Sequence, residues 1–148
     1  MWTYEHTLQT EAPAEAIWRL WADVSTWSRW DDDIEWAQLE GPFAVGSRGR
    51  LKPKGIPAAG FVLVSVVPGV SYTVEQRLPL ATLRFHHELA KTDRGPTRFT
   101  HRVTIAGPLG PLFASVFGRR MKANFGKIMR HLAEEALASA AGPGGRNG

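Results

Sequence analysis

Three of the five histidines in this sequence occupy positions from which they could act on one small molecule. His6, His87 and His101 each share strand parity with apolar or aromatic neighbours. Because side chains alternate between the two faces of a β-strand, all three are predicted to point towards the buried side of a sheet. A near-neutral imidazole can donate or accept a proton, which suits enolisation, aldol cyclisation or dehydration. His87 and His101 are therefore the candidate catalytic residues.

Other interpretations of these three histidines stand beside the catalytic one. The rings could line a wet cavity and orient a ligand there without transferring a proton, or they could be hydrogen-bonded core residues. Three imidazoles could also bind Zn²⁺, but no carboxylate shares their strand faces to orient a metal-bound ring. The chain lacks a nucleophile elbow, a phosphate loop and a dinucleotide fingerprint. We therefore expect neither a metal nor a cofactor.

The first elements of the chain follow from its periodicity. Alternating residues predict a strand over 2–10 with one buried face. Pro13 suits the first turn of a helix. Apolar residues at helical spacing follow it, namely Ile17, Trp18, Leu20 and Trp21. Asp23 and Ser25 can each cap a second helix over about 25–30, so two short helices are expected after the first strand.

Six further strands and a long helix are predicted for the rest of the chain. Glycine and proline clusters separate candidate strands over residues 34–40, 47–54, 59–67, 70–78, 81–90 and 97–106. Short gaps imply hairpins and an antiparallel meander, and a turn at 93–96 would place His87 near His101. Apolar residues recur every three or four positions from about 109 to 140, which predicts an amphipathic helix covering the sheet. The expected fold class is α+β.

The segment "TEAPAEAIWRLWADVSTWSRWDDDIEWAQLEGPFAVGSRGRL", residues 10–51, resembles the START-like superfamily, in particular its polyketide cyclase/dehydrase branch. The closing segment "IAGPLGPLFASVFGRRMKANFGKIMRHLAEEA" resembles the same branch, and the likeness covers residues 2–138. The resemblance implies a helix-grip fold, with a seven-stranded antiparallel sheet wrapped around the long C-terminal helix. Members of the branch include aromatic cyclases, lipid and hormone binders and dehydratases, so function must be argued from the site.

The stretch "DVSTWSRWDDDIEW", residues 23–36, combines three tryptophans with three aspartates. By the resemblance, Trp27 and Trp30 belong to the short-helix corner that closes one end of the grip. Trp27 is expected to be a structural wedge, whereas Trp30 and Trp36 lie nearer the expected mouth of a pocket. The aspartates at 31–33 are expected to form a solvated loop, because consecutive carboxylates on a loop rarely converge on one substrate atom.

Two criteria predict which residues contact a ligand: a side chain on the inward face of its strand or helix, and a position near the expected mouth of the pocket. The apolar faces of the last strands must be the concave ones. The candidate ligand-binding residues are His6, Trp30, Trp36, Tyr72, Val74, Gln76, Phe85, Phe99, Phe117 and Met121. His86 and His131 are expected to lie outside the histidine cluster.

Length, charge and composition predict the number of domains, the kinds of partner and the location of the protein. A chain of 148 residues is expected to form a single domain over 1–141 and a glycine-rich, disordered tail over 142–148. The net charge of +4 comes from scattered basic residues without a nucleic-acid motif, so no nucleic-acid partner is expected. No apolar run approaches the ~20 residues of a membrane span, and the N-terminus lacks the pattern of a secretory signal. We expect no stable membrane insertion and a cytoplasmic location, which the absence of cysteine fits.

Two functions fit these expectations. The first is binding of a small, largely apolar ligand (aromatic, polycyclic or lipid-like) in a cavity between the sheet and the C-terminal helix. The alternative is a polyketide cyclase or dehydratase that uses His87 or His101 as its general acid/base. No carboxylate–histidine pair is evident on the inner strands, which favours binding and leaves open whether the protein is an enzyme. A monomer or a homodimer is expected.

Overall fold

The computed structural model describes residues 1–90 and 96–145, with side chains described as far as residue 140. The strands are β1 (Trp2–Thr10), β2 (Ile34–Glu40), β3 (Arg48–Pro53), β4 (Ala59–Val67), β5 (Ser71–Leu78), β6 (Ala81–Ala90) and β7 (Thr97–Ala106). The helices are α1 (Ala14–Ala22), α2 (Trp27–Trp30) and α3 (Gly110–Gly145), and a 3₁₀ turn over Val24–Thr26 joins α1 to α2. Each predicted element is therefore present close to its expected bounds.

The seven strands form one antiparallel sheet in the order β1-β7-β6-β5-β4-β3-β2. Short connections make β2 to β7 a meander, and β1 extends the sheet by pairing with β7. The helix α3 packs against β1, β7, β6 and the short helices, so the sheet and the helix enclose one interior. The predicted helix-grip α+β fold is confirmed.

Strand register places the three histidines side by side. His6 lies opposite His101 in the β1–β7 pair, and His87 lies opposite His101 in the β6–β7 pair. The turn at 93–96 falls largely outside the described residues, yet the register that it was expected to set is the one found. The predicted adjacency of the three positions is therefore confirmed.

The short helices form a buried corner against α3 and the sheet. On α1, Ile17 and Trp21 are fully buried. The indole Nε1 of Trp27 donates a hydrogen bond to the carbonyl oxygen of Trp21 at 3.0 Å, and Thr26 Oγ1 donates to the carbonyl oxygen of Leu20 at 2.9 Å. These bonds tie the end of α1 to α2 and fix the direction in which the chain leaves the corner. Trp27 thus has the wedge position that the sequence predicts.

Two further expectations concern the disordered C-terminal tail and membrane insertion. The helix α3 extends to Gly145, and residues 146–148 lie outside the described part, so the disorder of 142–148 stays a prediction. Among the described residues, no helix has both the length and the apolar character that crossing a bilayer requires.

Candidate functional site

A cavity of about 230 Å³ lies between the sheet, α2 and the first half of α3. Most of its wall is apolar or aromatic, from Trp27, Trp30, Ile34, Leu51, Pro53, Ile56, Pro57, Ala59, Tyr72, Val74, Leu78, Leu83, Phe85, Phe117, Met121, Phe125 and Ile128. Polar side chains supply the rest, namely Asp31, Asp33, Gln76, His87, His101, Arg120 and Asn124. An apolar chamber with a few polar groups is the usual form of a small-molecule site.

The structure brings most of the sequence-predicted site residues to this cavity. Those that line it are Trp30, Tyr72, Val74, Gln76, Phe85, His87, His101, Phe117 and Met121. Three others, His6, Trp36 and Phe99, do not line it. Each of the three departs from the prediction for a different physical reason.

A β-bulge moves Trp36 away from the cavity. Trp36 is predicted to belong to the site from its nearness to the expected mouth. The β2–β3 register shifts between Ile34 and Trp36, so the two residues do not share a face of the sheet as strict alternation would place them. Ile34 lines the cavity and Ala37 packs against the core. Because Trp36 is the neighbour of Ala37, its side chain lies on the opposite face of the sheet.

Phe99 and His6 have the predicted parity but lie beyond the reach of a ligand. Phe99 is fully buried, with its ring centroid 6.3 Å from that of Trp21, so it belongs to the layer beneath the cavity floor. His6 is half-buried and packs on α3, since a Cβ built on Gly126 would lie 3.5 Å from Nε2 of His6. Strand alternation therefore predicts which side chains point inward, but it does not predict which of these side chains reach the cavity.

The cavity floor is a stack of aromatic and imidazole rings. The rings of Tyr72 and His87 are parallel, at 1°, with centroids 4.1 Å apart. His87 meets His101 at 72° with centroids 4.5 Å apart. The indole of Trp21 lies beside both histidines, at 5.7 Å and 5.8 Å between centroids. The floor is therefore rigid, because each ring is held by at least two others.

Both floor histidines are more than nine-tenths buried, at 9% exposure for His87 and 5% for His101. Burial, followed by the charge of His101, holds the pKa of His87 well below its usual value. Burial and then the charge of His6 lower the pKa of His101 to about 3. Both rings are therefore neutral at pH 7 and are suited to hydrogen bonding rather than to acting as imidazolium acids.

One nitrogen on each floor histidine has no partner. Among the described residues, neither Nδ1 of His87 nor Nε2 of His101 has a hydrogen-bond partner. The outer histidines differ, as predicted: Nδ1 of His86 bonds Thr73 Oγ1 at 2.7 Å, and His131 lies 3.4 Å from Asp32. Both nitrogens are shielded from solvent, although the rings that carry them line the cavity, and unpartnered buried polar atoms are rare in folded proteins.

Asp31 is a cavity residue that the sequence interpretation missed. It caps the C-terminus of α2, directly after Trp30, and its Oδ1 accepts a hydrogen bond from the backbone N–H of Asp33 at 2.9 Å. The pKa of Asp31 is raised to about 7, mainly by burial; the negative charges of Asp33 and Asp32 also raise it, while that hydrogen bond and Arg120 lower it. The expected solvated loop is therefore wrong for Asp31, because the end of α2 turns it inward.

A polar clasp at the cavity mouth holds the aspartate segment to α3. Asn124 Nδ2 donates to Asp33 Oδ2 at 2.8 Å. Arg120 Nη2 lies 3.5 Å from Asp33 Oδ1 and donates to the carbonyl oxygen of Lys54 at 3.1 Å. The clasp joins α3, the connection from α2 to β2 and the β3–β4 connection around the opening.

The histidines and carboxylates do not form a metal centre. Within residues 1–90 and 96–145, no group of three or more His, Asp or Glu side chains is arranged to hold a metal ion. The zinc alternative for the three histidines therefore has no support in their geometry.

The sequence shows, over almost its whole length, to which protein family the chain belongs. Residues 1–136 match the sequence profile of the family described as polyketide cyclase/dehydrase and lipid transport. The chain belongs to this family. Membership confirms the branch that the sequence resembles, and it supports a ligand-binding or cyclase role for the family member described here. Among curated proteins, none matches the sequence significantly.

Solved structures share the fold of this polyketide cyclase/dehydrase family member. The Zhui aromatase/cyclase from Streptomyces sp. R1128 has a TM-score of 0.75 at 18% identity, covering 97% of this chain and 98% of its own. Truncated norcoclaurine synthase from Thalictrum flavum has a TM-score of 0.69 at 12% identity, covering 92% and 93%. A di-domain aromatase/cyclase of steffimycin biosynthesis has a TM-score of 0.71 at 15% identity, covering 94% and 52%. At these identities the likeness shows the fold alone.

Proposed function

We propose that this domain binds a small aromatic molecule in the cavity between the sheet and α3. One observation carries the proposal: a mostly apolar chamber has at its floor two buried imidazoles, His87 and His101, that each have an unpartnered nitrogen. Buried polar atoms without partners are rare in folded proteins. A ligand with an apolar body and a polar substituent complements both features, since the walls drive burial and the rings accept or donate one hydrogen bond.

The size of the cavity limits the ligand. At about 230 Å³ it is smaller than the ~300–1,000 Å³ typical of sites for drug-sized ligands. A molecule of one or two rings is therefore favoured over the polycyclic and lipid-like alternatives. The aromatic side chains that line the cavity, Trp30 and Phe117 among them, suit stacked or edge-on contacts with such a ligand.

Binding of 1-fluoronaphthalene, followed by fluorine NMR, tests this proposal. We expect line broadening and a saturable shift with the wild-type protein. Phe117→Asp is expected to weaken binding by about tenfold or more, because it places a carboxylate in an apolar chamber.

The matched control for this experiment is Val116→Asp. Val116 precedes Phe117 on α3, is 60% exposed and does not line the cavity, so its substitution adds the same charge outside. Equal weakening by the two substitutions, or no binding to the wild-type protein, would contradict the proposal.

A second candidate function is acid–base catalysis of a cyclase or dehydratase type. The observation that favours it is the Asp31 carboxyl at the cavity wall with its pKa raised to about 7. A general acid or base works best when its pKa is near the working pH. Asp31 is therefore a better proton carrier than His87 or His101, whose pKa values are lowered. The family description and the aromatase/cyclase folds support this candidate.

Enolisation of 1-indanone tests the catalytic candidate, with exchange of its α-protons in D₂O followed by proton NMR. We expect the wild-type protein to catalyse exchange, and Asp31→Asn to slow it by about 100-fold or more. Asp32→Asn is the control, because Asp32 does not line the cavity and pairs with Lys127 at 3.4 Å. Exchange that is absent in the wild-type protein, or equal in both variants, would remove this candidate.

A further inference from the structure

Asp31 presents a carboxyl group to the cavity without a cationic partner. Among the described residues, its only hydrogen bond comes from the backbone N–H of Asp33, and no basic side chain forms an ion pair with it. The nearest candidate, Arg120, is engaged by Asp33 and by the carbonyl oxygen of Lys54. Asp31 is half-buried, and desolvation is the main cause that raises its pKa. Because a partly desolvated carboxylate gains from a paired charge, a ligand that brings a positive charge would complete this site.

The rest of the cavity suits such a charge. The electron-rich rings of Trp27, Trp30 and Tyr72 line it, and aromatic faces attract cations within ~6 Å. The imidazole of His87 lines the same chamber, is nine-tenths buried and lacks a partner at Nδ1. Because this ring is held neutral by burial, which lowers its pKa, it does not repel a cation and can accept a hydrogen bond.

We propose that the ligand of this cavity is a small aromatic amine whose ammonium group pairs with the Asp31 carboxylate while its ring occupies the apolar chamber. The inference rests on the proposed binding function and names the chemical class that the site takes. It also gives the clasp a role, because Arg120 and Asn124 hold Asp33 in place and leave Asp31 free to meet the ligand.

The pairing predicts a characteristic dependence on pH. The charged and titratable groups around Asp31 are Asp32 and Asp33 on its own segment, Tyr72 on β5, Arg120 on α3 and the floor histidines His87 and His101. An ammonium ligand needs ionised Asp31, whose pKa in the empty cavity is about 7. Its affinity must therefore rise as the pH rises through that value, whereas a neutral ligand that accepts a hydrogen bond from protonated Asp31 must lose affinity.

Calorimetric titration with benzylamine and benzyl alcohol at pH 6 and pH 8 tests the inference. The two probes have nearly the same shape and differ in charge. We expect benzylamine affinity to rise about tenfold from pH 6 to pH 8, as the ionised fraction of Asp31 rises. Benzyl alcohol affinity should stay constant or fall over the same range, because protonated Asp31 can donate a hydrogen bond to its hydroxyl oxygen. Asp31→Asn should weaken benzylamine about tenfold at pH 8 and remove its pH dependence, whereas Asp32→Asn should retain the affinity at pH 8 and a pH dependence displaced to lower pH, because the charge of Asp32 raises the pKa of Asp31.

The outcomes separate this inference from the proposed function. Benzyl alcohol binding that equals or exceeds benzylamine binding at pH 8, or that strengthens about tenfold with pH as benzylamine binding does, overturns the amine inference and leaves the aromatic cavity intact. Benzylamine binding that survives Asp31→Asn at pH 8 overturns it as well. Failure of benzylamine, benzyl alcohol and 1-fluoronaphthalene alike overturns both proposals.

Discussion

Replacement of Trp21 with alanine is expected to lower the free energy of unfolding by about 3–5 kcal/mol, the usual cost of truncating a buried tryptophan or phenylalanine. Trp21 is fully buried, and its ring lies within 6.3 Å, between centroids, of Tyr72, His87, Phe99 and His101. The substitution would leave a void directly beneath the cavity floor. Urea denaturation followed by circular dichroism measures the loss.

Trp36→Ala is the matched control for this substitution. Trp36 is half-buried on the outer face of the sheet, so the same truncation there is expected to cost about 1 kcal/mol or less. A cost for Trp21→Ala no greater than that for Trp36→Ala would show that the ring stack does not support the floor.

Stability is expected to fall as the pH drops from about 6.5 towards 4. The pKa values of His87 and His101 lie below the usual 6.5 in the folded protein. In this window the unfolded chain takes up two protons that the folded protein does not bind. Each histidine therefore contributes about 1.4 kcal/mol of stability per pH unit, which is lost as the pH falls below the unfolded value.

Asp31 acts in the opposite direction over the same window. Its pKa is raised from 3.8 to about 7 on folding, so the folded protein holds a proton that the unfolded chain has released. That contribution is lost as the pH rises through the folded value. Because two histidines oppose one aspartate, the net stability is expected to fall as the pH drops from 6 towards 4, by roughly 1 kcal/mol per pH unit.

Two variants separate these contributions. Asp31→Asn is expected to steepen the slope, about twofold, and to stabilise the protein at pH 8, whereas His101→Gln should make the slope shallower. His131→Gln is the control, because His131 lies outside the buried stack. Urea denaturation at several pH values gives each slope. A flat wild-type profile that neither variant alters would contradict these electrostatic assignments.

The part of the site built on regular strands could be predicted from the sequence. Side-chain alternation follows from the pleat of a strand and hairpin register from local turn chemistry, and together they place His87 and His101 on neighbouring inward positions. Trp36 is predicted to belong to the site from its nearness to the expected mouth, and it does not line the cavity. The bulge between Ile34 and Trp36 leaves no clear mark in the sequence. One extra residue is enough to reverse every face assignment that follows it.

The electrostatic part of the site could not be predicted in the same way. The sequence shows three consecutive aspartates, but their environments depend on how α2 meets α3. Asp33 meets Arg120 and Asn124, and Asp32 meets Lys127. Within the described part of the chain, Asp31 receives no such side-chain partner, and it lines the cavity. The difference between the three aspartate environments arises from tertiary packing, and the spacing of residues in the sequence does not predict it.

A map of nuclear Overhauser effects between bound 1-fluoronaphthalene and the protein tests the central claim most directly. If the molecule occupies the cavity between sheet and helix, its protons should show effects to the rings of His87, His101 and Phe117. Effects confined to the exposed Leu112 and Val116 on α3 would place the probe on the outer surface and would contradict the account.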